Sequence, residues 1–131
     1  MKSILILVLA LSSSAFAAEC VNEKGEDIFN QPEVFQAMIQ KFETCYQAKA
    51  LAEACAYGSS LDVSTAGYAN GICGNELAKQ RPSRKLQATL NSMNSLCDRK
   101  YENEQGTMYR SMNAFCRLSA TEWILNLASP N

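Results

Sequence analysis

Six cysteines fall between residues 20 and 116, and two pairs of them are placed symmetrically about turn signals. Cys97 lies nine residues before Gly106 and Cys116 ten after it, while Cys45 and Cys73 are centred on residue 59, within Gly58-Ser59-Ser60. Amphipathic helices on both flanks of such turns would bring the thiols face to face across antiparallel hairpins. The expected fold is therefore all-α: a small disulfide-stapled four-helix domain built from two antiparallel helical hairpins.

Disulfides of this kind need an oxidising compartment, and the start of the chain supplies a route to one. Met1-Lys2, the apolar run Ile4 to Leu11, a serine-rich stretch and Ala15-Phe16-Ala17 have the order of a secretory leader, expected to be cut after Ala17. The apolar run is too short to span a bilayer, and no later stretch approaches that length. Residues 18–131 are then one domain, exported to the periplasm or the extracellular space, with no membrane insertion of the mature chain. An even cysteine count in such a chain reads as three disulfides. Metal binding is the weaker reading, because spacings of 25, 10, 18, 24 and 19 contain no Cys-x-x-Cys and the chain has no histidine.

Geometry limits the pairing. Cys45 and Cys55 on one continuous helix would lie about 15 Å apart along its axis, and a disulfide bridges Cα atoms no more than roughly 7 Å apart. With Cys97–Cys116 set by symmetry, Cys45–Cys73 leaves Cys20–Cys55. The alternative, Cys20–Cys45 with Cys55–Cys73, needs a longer loop between the first two helices.

Along the chain, residues 18–31 read as an irregular acidic arm, with a turn at Lys24-Gly25. Asn30, Pro32 and Glu33 signal a helix start. Phe35, Met38, Phe42 and Cys45 then recur at helical spacing, predicting one helix over 32–56. A second helix opens at Ser59, Ser60 or Asp62 and stops before Arg81-Pro82. Its interior glycines, Gly67 and Gly71, imply either close packing of a neighbouring helix or a ligand near the backbone, packing being favoured. Ser83 caps a third helix with an apolar stripe of Leu86, Leu90, Met93, Cys97 and Tyr101. Gly106 ends that helix, and Thr107 can cap a fourth with the most regular stripe: Tyr109, Met112, Cys116, Ala120, Trp123 and Leu127. Asn70, Asn94 and Asn113 each precede a cysteine by three residues, which sets each amide beside its disulfide on a helix face.

Little chemistry is on offer. Without histidine there is no triad of the Ser-His-Asp kind and no imidazole base, and paired cysteines leave no thiolate. No cofactor is expected. Carboxylates remain, namely Asp62, Asp98, Glu102, Glu104 and Glu122, a pair of which glycan hydrolysis would use. Asp98 and Glu102 share a helix face, but it is the one opposite the apolar stripe, where charges are usually solvated. No catalytic residue is assigned. Formal charge is −1, or −2 once Lys2 leaves with the leader, which argues against nucleic acid as a partner. The densest local charge is Lys79, Arg81, Arg84 and Lys85, a basic turn suited to an acidic protein or cell-wall polymer, or else simply solvated. The expected function is an exported binding or inhibitory module. A carboxylate-dependent glycan hydrolase or a structural envelope component is the alternative, and the sequence does not fix the oligomeric state.

Overall fold

A computed structural model describes residues 19–129, so the expected leader at 1–17 lies outside them. Five helices follow in order: α1 (Pro32–Ile39), α2 (Cys45–Ala54), α3 (Ser60–Lys79), α4 (Arg84–Tyr101) and α5 (Thr107–Ala128). The all-helical, disulfide-stapled architecture holds, with α2–α3 and α4–α5 as its hairpins. All three expected disulfides are present: Cys20–Cys55, Cys45–Cys73 and Cys97–Cys116.

The helix expected over 32–56 is broken at residues 40–44. After Ile39 the backbone tightens, with Lys41 N–H bonding Met38 C=O and Phe42 N–H bonding Ile39 C=O. Thr44 then starts α2 afresh, its hydroxyl accepting from Gln47 N–H at 3.3 Å. Thr44-x-x-Gln47 has the capping-box sequence, although the Gln47 side-chain oxygen accepts from the Thr44 hydroxyl rather than from its backbone N–H, and it lies inside the apolar periodicity that masked it. The break changes nothing for the disulfides, because Cys45 opens α2 and Cys55 caps its end. At the start of α1, Gln31 is the N-cap and Asn30 takes a left-handed φ of 63° one residue earlier.

α3 is the central helix. It packs most extensively on α5, then on α2 and α1, whereas α4 is held chiefly by α5. Ala48, Ala52, Ala66 and Ala69 are all fully buried, so small side chains let α2 and α3 approach around Cys45–Cys73. Packing does not explain the glycines. Gly67 and Gly71 are exposed, and a Cβ at either would meet no atom within 4 Å. The alanines do the close packing, on a different face of the same helix.

The α5 stripe also needs correcting. Met112, Trp123 and Leu127 are exposed, while Ser111, Leu118, Thr121, Ile124 and Leu125 are buried. Because α5 must satisfy α3 on one side and α4 on another, its deepest face includes Ser and Thr and escapes an apolar-only reading. Cys116 and Ala120 belong to the α4 side, where Cys97 is the one buried residue of α4.

The two hairpin turns are tied together by Asp62, which is only 1% exposed. Its carboxylate accepts from Tyr57 N–H, Gly58 N–H (2.7 Å) and the Ser111 hydroxyl (2.6 Å). Thr107 does not cap α5, whose N-cap is Gly106; its hydroxyl instead donates to Gly58 C=O across the turns. The acidic arm is irregular but anchored. Ile28 is buried, Phe29 stacks on Tyr57 at 4.0 Å between centroids, and Asn22 organises the turn at Gly25.

Candidate functional site

Helix α3 ends at Lys79, and the chain reverses through Gln80–Ser83 before α4. Gln80 N–H bonds Leu77 C=O and Arg81 N–H bonds Ala78 C=O, so Arg81 takes the left-handed closing position usually given to glycine, with φ 50°. Ser83 then caps α4 by accepting from Leu86 N–H at 3.2 Å. This reversal leaves Lys79, Arg81, Arg84 and Lys85 all exposed, and among the described residues none joins an ion pair. The expected basic cluster is thus gathered at one end of the molecule.

Because α4 leans on α5, a groove of about 500 Å³ opens between α3 and α4 beside that turn. Asn70, Gly74 and Leu77 line one wall, and Leu90 and Asn94 the other. Thr121 of α5 also lines the groove, and Arg81 and Pro82 stand at the end where the two helices join. Asn70 and Asn94 are placed symmetrically, each twelve residues from Pro82. The carbonyl oxygen of each amide is buried and accepts no hydrogen bond among the described residues. Asn113 shares that property, although its nitrogen donates to Asp98 at 3.1 Å. The shared Asn-x-x-Cys spacing thus marks three amides whose carbonyls are sequestered, two of them in one groove.

The candidate carboxylates do not converge. Asp62 is enclosed by its donors at the hairpin turns. Glu122 pairs with Lys49, which also holds Glu53, tying α2 to α5. Burial pulls the Lys49 ammonium down, but the hydrogen bonds and charges of Glu53 and Glu122 outweigh it, so its pKa is raised. Asp98 is bound by Asn113 and by Arg117 at 2.9 Å; those contacts, Asn113 first, lower its pKa. A general acid in glycan hydrolysis needs the opposite shift. Glu102 and Glu104 are exposed.

A second, mostly apolar groove of about 430 Å³ lies along the α4–α5 seam, over Cys97–Cys116, between Met93, Leu96 and Trp123. Of the exposed residues in the α5 stripe, Trp123 lines it. No helix among the described residues is long and apolar enough to cross a membrane. No family model matches the chain, and no significant similarity to a curated protein or a solved structure is found.

Proposed function

We propose that the chain is an exported, disulfide-stapled binding or inhibitory module, acting on an anionic protein or cell-wall polymer in the periplasm or extracellular space. Its contact surface is the basic turn with the adjoining α3–α4 groove. Export is supported by the leader-like residues 1–17 together with three disulfides. One observation carries the choice of surface. Arg81, unpaired and exposed, is held in a conformation unfavourable to any residue with a Cβ, at the end of a groove. Local strain of this sort persists where surrounding structure imposes it, and such sites cluster at ligand clamps.

The test is retention of an envelope partner on the oxidised chain, compared with Arg81→Glu/Arg84→Glu. A partner bound in fixed stoichiometry and lost on charge reversal is expected. Retention that ignores the reversal would place the contact surface elsewhere. The hydrolase reading loses its best candidate pair, since Asp98 is already committed to Arg117 and Asn113.

A further inference from the structure

We infer that the α3–α4 groove takes an extended peptide of about five residues whose free carboxyl terminus meets Arg81; this deepens the binding reading above and rests on it. Three features of the groove select a peptide. The first is its length: Asn70 and Arg81 are eleven residues apart along the chain, roughly 16 Å on a helical rise, and an extended peptide covers that distance in about five residues. The second is the facing amide pair. Each side-chain amide carries one acceptor and a pair of donors, the same complement a peptide group presents in return. In Asn70 and Asn94 the carbonyl oxygen is buried and accepts no hydrogen bond among the described residues, so turning either amide about its last side-chain bond toward an incoming N–H forfeits no hydrogen bond that the oxygen already makes. The third is charge. The end marked by Arg81 and Pro82 lies at the turn that joins α3 to α4, and Lys79, Arg84 and Lys85, exposed on or beside that turn, add positive charge to it. A terminal carboxylate fits there, as the planar guanidinium offers it two parallel N–H donors. Between the two ends, Leu77, Gly74 and Leu90 give an uncharged trough that accepts small or apolar side chains.

The probe is a synthetic mixture of pentapeptides randomised over uncharged residues with free carboxyl termini, passed over the immobilised oxidised chain. The same mixture with amidated termini and a β-1,4-linked N-acetylglucosamine hexamer run beside it. The free-acid mixture is expected to be retained, with amidation reducing retention about tenfold, the scale of one charge-assisted hydrogen bond. Asn70→Leu and Asn94→Leu should each weaken retention similarly while leaving thermal stability equal or higher, because each removes an unsatisfied buried carbonyl. Arg81→Gly should retain both mixtures equally. Equal retention of acid and amide by the wild type, unchanged retention by both leucine variants, or retention of the hexamer alone would overturn the peptide assignment. Any of these, combined with an envelope partner that is still lost on charge reversal, leaves the binding reading standing. Failure to retain either peptide or partner sinks both.

Discussion

Arg81 and Asp62 represent opposite uses of a single residue. Arg81 adopts a left-handed backbone that costs a residue with a Cβ about 1 kcal/mol or more, so Arg81→Gly is expected to raise unfolding free energy by about 1 kcal/mol in urea titration while weakening partner binding about tenfold. A residue kept only for the turn would give the stability gain with no loss of binding. Asp62 is buried for structure: Asp62→Ala strands two backbone N–H groups and the Ser111 hydroxyl, and should cost about 3 kcal/mol or more. Asp98 supplies a pH signature. Its folded pKa lies below the ordinary 3.8, so its contribution is present above that value and is lost as pH falls through the folded one. NMR titration of Asn113→Ala should show the Asp98 pKa moving up toward 3.8; an unmoved pKa would contradict the role given to Asn113. The Asp62–Ser111 and Asp98–Asn113 partnerships could not be read from sequence, because they join residues 49 and 15 positions apart, and the Arg81 conformation depends on a backbone angle.

At the scale of the helix, local signals and tertiary demands separate cleanly. Hairpin symmetry about Gly106 and residue 59 was legible because a helix repeats regularly and a short turn preserves register. The break before Thr44 was also written in the chain, as Thr44-x-x-Gln47, but the periodic Phe35, Met38, Phe42 and Cys45 runs through it. The α5 stripe misleads for a different reason. A helix contacting two neighbours has two inner faces, and its Ser111 and Thr121 are buried while Trp123 is not. Exposed Gly67 and Gly71 yield a test in α3: Gly67→Ala and Gly71→Ala meet no neighbour and should each stabilise by about 1 kcal/mol. A loss of stability in thermal melts would show that those positions pack against something. The Lys49 bridge between α2 and α5 carries the alkaline counterpart of Asp98. Because its pKa is raised above 10.5, its contribution holds below that value and is lost as pH rises through the folded one.

For the whole molecule, the disulfides divide the work unequally. Cys20–Cys55 fastens the arm to the end of α2, and Cys45–Cys73 closes α2 onto the central helix. Cys97–Cys116 holds the peripheral α4, which packs chiefly on α5. The same looseness that opens the groove thus makes this bridge the one on which groove geometry depends. The candidate site was half legible: the basic residues stood out as the densest charge, whereas the groove exists only because α4 leans away from α3. Asn70 and Asn94 were singled out by their spacing to cysteine, but their meeting across Pro82 required the hairpin between α3 and α4. The most direct measurement is hydrogen exchange of the oxidised chain with and without its retained partner. Slowed exchange confined to residues 70–94, covering the end of α3, the basic turn and the first half of α4, is the predicted footprint. Protection centred instead on the Trp123 groove or on the acidic arm, with 70–94 unchanged, would contradict it.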